Sequence, residues 1–112
     1  MGTISKLHIV RKIVLSADDA QERIRDISWE SGSVIFTRHA EERMEQRDIS
    51  RPQVLEALRS GYVDDPPTEE FAGEWKCKVT SNLRGRTIGV VTVIVEARSQ
   101  LIIVTVEWED FK

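Results

Sequence analysis

His39, Arg43 and Arg47 follow one another at intervals of four residues, so a helix running through them sets all three on one face. Two guanidiniums at that spacing repel each other unless an anion or a carboxylate sits between them, and the arrangement therefore invites a phosphate. Thr37 stands where a helix cap would be, which puts His39 in the first turn. There the positive end of the helix dipole favours the neutral imidazole, the form able to accept a proton. A general acid or base beside phosphate-binding arginines is the chemistry this pattern would support. The competing reading has His39 capping or packing, with the arginines paired to Glu41, Glu42, Glu45 or Asp48.

A second basic group lies further on. Lys76 and Lys78 share one face of an alternating run, and Arg84 and Arg86 flank the turn that follows, so a basic strip across one end of a sheet is expected. Such a strip would suit an RNA phosphate track, with a solvated hairpin face as the alternative. Aromatic interleaving is sparse: Tyr62 and Trp75 are the nearby rings, and Trp75 has core parity. Other catalytic templates fail. His8, His39 and the single Cys77 have no zinc spacing, and neither a glycine-rich phosphate loop nor a G-x-S-x-G elbow occurs, so no metal and no cofactor is expected. Glu107, Glu109 and Asp110 alternate around Trp108 as a strand end would, which predicts a solvated or partner-facing edge.

The elements that must position these residues can be read from periodicity. Lys6 to Leu15 alternates imperfectly and suggests an extended arm or edge strand. Ser16 followed by Asp18 and Asp19 caps a helix over Ala17 to Trp29, with Ala20, Ile24 and Ile27 at helical spacing. Val34-Ile35-Phe36 is β-prone. A helix from Thr37 to about Arg47 buries Ala40 and Met44. A third, opened by a Ser50/Gln53 capping box around Pro52, buries Val54, Leu55 and Leu58 and stops at Gly61.

Asp64 to Glu70, with two prolines and several acids, reads as a loop. Glu74 to Thr80 alternates with Trp75, Cys77 and Val79 on one side, the pattern of a strand with one buried face. Ser81 to Gly85 reads as a turn, and Arg86 to Val95 and Leu101 to Trp108 read as an antiparallel hairpin. Ile88 to Val95 is apolar at both parities, which predicts a central strand covered on both faces: by the helical pair on one, by the N-terminal helix or a partner chain on the other.

The fold expected is α+β, with an antiparallel sheet of about four strands carrying a two-helix hairpin on one face in the order β-α-α-β-β-β. Residues 1–32 would form the N-terminal arm and helix, packed on the domain of residues 33–112.

Composition sets outer limits. The chain has 112 residues, 40% hydrophobic and 31% charged, enough for one domain that buries roughly 65% of its unfolded surface. One cysteine cannot form an intrachain disulfide. No apolar run approaches the ~20 residues that span a bilayer, and Met1 to Lys12 lacks the unbroken apolar core of a signal peptide, so a cytoplasmic location without a membrane is expected. The net charge of −3 argues against broad non-specific DNA binding but leaves room for a local basic site.

The segment Thr37, His39-Ala40, Arg43-Met44, Arg47 and Ile49 resembles the T-x-H-A-x-x-R-M-x-x-R-x-I signature of a bacterial family of unknown function, and the likeness extends over roughly Val34 to Trp108. That family is grouped with the RelE/ParE-type toxins, small α+β proteins in which two helices precede an antiparallel sheet. RelE-like relatives cleave mRNA without metal, and ParE-like relatives act on DNA gyrase. The resemblance thus implies a toxin-like module, most concretely a metal-independent endoribonuclease. On that reading His39, Arg43, Arg84 and Arg86 serve catalysis, while Arg47, Lys76 and Lys78 bind phosphate. The alternative is a non-catalytic interaction domain of the same fold that binds a protein such as an antitoxin, or a second copy of itself.

Overall fold

In the computed structural model, residues 14–109 are described. Most of the expected N-terminal arm, Lys6 to Leu15, and Asp110 of the expected acidic strand end lie outside them.

Among the described residues three α-helices form where their caps predict. Helix α1 (Ala17–Ser28) opens on Ser16, whose hydroxyl accepts the Asp19 N–H at 3.0 Å, with Asp18 and Asp19 in the first turn. Helix α2 (Arg38–Arg47) opens on Thr37. The Thr37 hydroxyl accepts the Ala40 N–H at 3.0 Å and donates to the Ile103 carbonyl at 2.8 Å, so a single side chain caps the helix and fastens it to the sheet. Asp48, at φ 56°, ends α2 in the left-handed conformation that Asp tolerates. Helix α3 (Arg51–Ser60) carries the reciprocal Ser50/Gln53 capping box with proline in its first turn.

Gly61 ends α3 at φ −85°, so its role is one of space. A Cβ there would stand 2.6 Å from the Thr80 carbonyl oxygen and 2.7 Å from that of Ala57, which lets the helix end press directly on the sheet.

Strands β1 (Val34–Phe36), β2 (Tyr62–Val63), β3 (Thr68–Phe71), β4 (Glu74–Leu83), β5 (Arg86–Val95) and β6 (Gln100–Trp108) make a mixed sheet of order β1-β6-β5-β4-β2, with β3 also on β4. The α+β class and the central place of β5 are as expected. The strand inventory differs, because six strands replace four and β1 pairs parallel with β6, Val34 opposite Leu101 and Phe36 opposite Ile103. Thr68–Phe71 is a strand where a loop is expected. It is exposed throughout and its register slips between Glu69 and Phe71, so it serves as a ragged edge where acids stay in water. The β4–β5 turn is also tighter than expected: β4 continues to Leu83, and only Arg84 and Gly85, both at positive φ, connect it to Arg86.

The three described α-helices lie on one side of the sheet. Ala20 and Ile24 of α1 share a single core with Val54 and Leu58 of α3, Ala40 of α2, and Ile88, Val90, Ile94, Leu101 and Ile103 of the sheet. Four hydrogen-bonded or ionic ties reinforce α1's seat. Gln21 accepts the Val63 N–H, Arg25 donates to the Gly61 carbonyl, Arg59 donates to the Ser28 carbonyl, and Arg23 pairs with Glu96.

The second face of β5 is therefore not covered by the N-terminal helix. Ile88, Val90, Thr92 and Ile94 are fully buried, whereas Val91, Val93 and Val95 point to the other side and are half-buried. The apolar run on both parities reflects a sheet with one helix-covered face and one valine-rich face on which no helix lies among the described residues. No helix among the described residues is long and apolar enough to cross a membrane.

Candidate nucleic-acid interface

Helix α2 is the spine of the site. Ala40 and Met44 anchor it on β6, which turns His39, Arg43, Gln46 and Arg47 toward solvent or the helix flank. These four side chains form a chain of contacts. Arg43 donates from Nε to His39 Nε2 at 3.5 Å and from Nη1 to Gln46 Oε1 at 3.3 Å, and Arg47 Nη1 reaches the same Gln46 oxygen at 3.5 Å. All three bonds run from a guanidinium N–H to an acceptor atom, His39 Nε2 or Gln46 Oε1.

Neither Arg43 nor Arg47 has a carboxylate partner among the described residues, although acids crowd the same helix. Of those acids, Glu41 pairs with Arg51 and Glu42 with Arg38. The pairing of Arg43 and Arg47 with helix acids, the competing expectation, is absent from the described ion pairs.

The C-terminal end of α2 meets the sheet at Trp108. Its indole N–H donates to the Arg47 carbonyl at 2.9 Å, and the Arg86 guanidinium stacks 3.9 Å from the centre of its ring. Arg86 sits opposite Leu83 in the ladder, on the helix-covered side, and so leans over Trp108 rather than toward the open face. Arg47, Arg86, Glu107 and Trp108 line a groove of about 330 Å³. Arg84 lies two residues away, exposed in the turn at φ 52°. His39 stands eight residues before Arg47, about 12 Å along the helix at ~1.5 Å per residue, so the two ends of the stripe would touch different groups of an extended ligand.

The lysines are on the other side of the sheet. Lys76 and Lys78 oppose Val93 and Val91 on the open face, so the sheet itself separates them from Arg86. Lys78 is held by Glu109 at 2.8 Å. Glu109 reaches it by lying across Gly89, where a Cβ would stand 2.5 Å from its Oε2. Both lysines line a hollow of about 660 Å³ together with Asp64, Asp65, Glu70 and Glu109, a surface of mixed charge. Cys77 also borders it, but burial pushes its thiol up from 9.0 to about 11, so it is no nucleophile near neutral pH.

Of the residues that spacing singles out, the structure gathers His39, Arg43 and Arg47 on one helix with Arg86 beside its end, and sets Lys76 and Lys78 apart. Sequence reasoning misses Trp108, Gln46 and Glu107 as members of the same surface. Trp108 reads only as an apolar strand end. The signal that could have found it is its aromatic N–H, which needs an acceptor at the rim of a core.

Among the described residues no cluster of three or more His, Cys, Asp or Glu side chains is placed to hold a metal ion. No curated protein and no solved structure matches the chain significantly. A family model does match, over residues 36–108, and it encloses helices α2 and α3, strands β2 to β6, the stripe from His39 to Arg86 and Trp108. With about two thirds of its length covered, the chain belongs to the family described as a domain of unknown function, DUF4258.

Proposed function

We propose that the domain is a toxin-like module of RelE/ParE type that acts on RNA, gripping its phosphates along the His39–Arg43–Arg47–Arg86 stripe. One observation carries this reading. Arg23, Arg38, Arg51 and Lys78 are each in an ion pair, whereas Arg43, Arg47 and Arg86 gather on one surface and join no ion pair among the described residues. Guanidiniums kept free of carboxylates retain their bidentate capacity for phosphate.

The cleavage step assigned to this surface needs no metal. An RNA 2′-hydroxyl forms a bond to its neighbouring phosphorus while the bond to the 5′-oxygen breaks, leaving a cyclic phosphate and a 5′-hydroxyl. His39 takes the proton from the attacking hydroxyl and the imidazolium, or water, supplies one to the leaving oxygen. Arg43 beside it offsets charge on the pentavalent transition state, and Arg47, Arg84 and Arg86 hold the adjoining phosphate. Removing a base of this sort costs about 100-fold or more in rate. Purified wild type and His39→Ala, compared by mapping of RNA ends, test the step: equal cleavage removes His39 from it, and failure of either protein to bind RNA removes the whole reading.

A second reading, a non-catalytic interaction domain that binds an antitoxin-like protein or a second copy of itself, is favoured by the open sheet face with its half-buried Val91, Val93, Val95 and Ile102. It requires an interface of at least about 1,000 Å². Sedimentation of the purified chain as a monomer with RNase activity would exclude it.

A further inference from the structure

Trp29 is 67% exposed at the end of α1, outside the family-matched region. One side of its ring is covered by the Arg59 guanidinium, 4.5 Å from the ring centre. Arg59 is fixed there by two hydrogen bonds to the Ser28 carbonyl, at 3.1 and 2.7 Å. Beside this stacked pair, Pro52 and Leu55 complete an apolar groove between α1 and α3, about 500 Å³ in volume, with Glu56 and Ser60 on its rim.

Acids outnumber cations on the stripe of α1 that leads to the groove: Glu22 and Asp26 lie two turns and one turn before Trp29 and Glu30 follows it, against Arg25, which donates to the Gly61 carbonyl. Glu22, Asp26, Glu30 and Glu56 are all outside the core, and none joins an ion pair among the described residues. Asp18 and Asp19, at the start of α1, suit the helix dipole. Asp26 and Glu30 stand at the opposite end, where the dipole is already negative and acids disfavour the helix. Arg59, the only cation among the described residues that line the groove, is committed to the Ser28 carbonyl and the Trp29 ring. The apolar slot thus has Glu56 on its rim and an acid-rich stripe of α1 leading to it.

We propose that this groove docks a segment of another protein that carries a bulky apolar side chain flanked by lysine or arginine. The apolar side chain fills the slot against Trp29 and Leu55, and the flanking cations answer Asp26, Glu30 and Glu56. The surface is independent of the arginine stripe, so its failure leaves the RNA reading untouched.

The test uses the full chain and a short peptide of alternating lysine and leucine, with an alternating glutamate–leucine peptide as control. Tryptophan emission should move to shorter wavelength with the lysine peptide alone, and Trp29→Phe should remove that change while Trp75 and Trp108 remain. Combined Asp26→Asn, Glu30→Gln and Glu56→Gln should weaken binding about tenfold, whereas Asp64→Asn with Asp65→Asn in the β2–β3 loop should not. Trp29 is exposed, so Trp29→Ala should keep its melting temperature and lose the peptide. Binding that survives Trp29→Ala, equal binding of the two peptides, or equal loss with the loop variants overturns the proposal. So does an emission already shifted without peptide that reverts on Lys6→Glu, Arg11→Glu and Lys12→Glu, since the chain's own basic N-terminal stretch would then be the occupant.

Discussion

Trp108 joins the last strand to the end of helix α2 through one hydrogen bond, its indole N–H to the carbonyl of Arg47 at 2.9 Å. That carbonyl belongs to the final turn of the helix, where no intrahelical donor remains to satisfy it. The bond therefore fixes where Arg47 leaves the helix, and the ring that makes it also carries Arg86.

Trp108→Phe keeps an aromatic face for Arg86 and deletes the donor. A drop of about 1–2 kcal/mol in urea unfolding is expected, together with weaker RNA binding. Unchanged stability would show that water replaces the indole without cost.

Phosphate binding predicts a salt signature. For single-stranded RNA, the log–log slope of affinity against salt should become shallower by ~0.7 for each phosphate that the protein no longer neutralises, so Arg47→Ala with Arg86→Ala should flatten it by about 1.4. Lys76→Ala should leave the slope near that of wild type, because its side chain lies on the other side of the sheet.

Gly61→Ala should destabilise the fold by about 1–3 kcal/mol, since the added methyl meets two backbone oxygens that cannot move aside. Thermal or urea unfolding measures this directly. Gly32→Ala, where an added Cβ meets nothing within 4 Å, is the matched control and should change little.

The buried thiol of Cys77 gives a pH dependence. Its folded value, about 11, lies above its ordinary 9.0, so the neutral thiol is favoured by folding. The associated stability is complete below pH 9 and is lost as pH rises through about 11, on the order of 2 kcal/mol in all. Cys77→Ser, compared with wild type across pH 8 to 11, should show a flatter decline. Thiol labelling at pH 8 should be slow until the chain is unfolded.

Local signals made much of this fold legible. Ser16, Thr37 and Ser50 each announce a helix by chemistry confined to a few residues, and all three caps form. Alternation around Trp75, Cys77 and Val79 likewise picks the buried face of β4. What stayed hidden depends on distant partners. Three residues, Val34 to Phe36, carry no mark of the strand they will join or its direction. Nothing in the period of Ala20 and Ile24 tells which side of the sheet they will cover. The site divides in the same way. The spacing of His39, Arg43 and Arg47 is a property of one helix, while the separation of Arg86 from Lys76 and Lys78 is decided by the parity of a two-residue turn, which places Arg86 opposite Leu83.

The pairing of β1 with β6 has a consequence for assembly in time. Val34 finds its ladder partner at Leu101, and Thr37 its acceptor at Ile103, so the segment that launches helix α2 takes its strand pairing from the last strand of the domain. A chain emerging from the ribosome holds the α2–α3 hairpin long before that strand exists, and closing so long a loop late makes folding slow. The domain would reach its working shape only after almost all of it has been synthesised, with the Arg47–Trp108–Arg86 junction among the last parts to form.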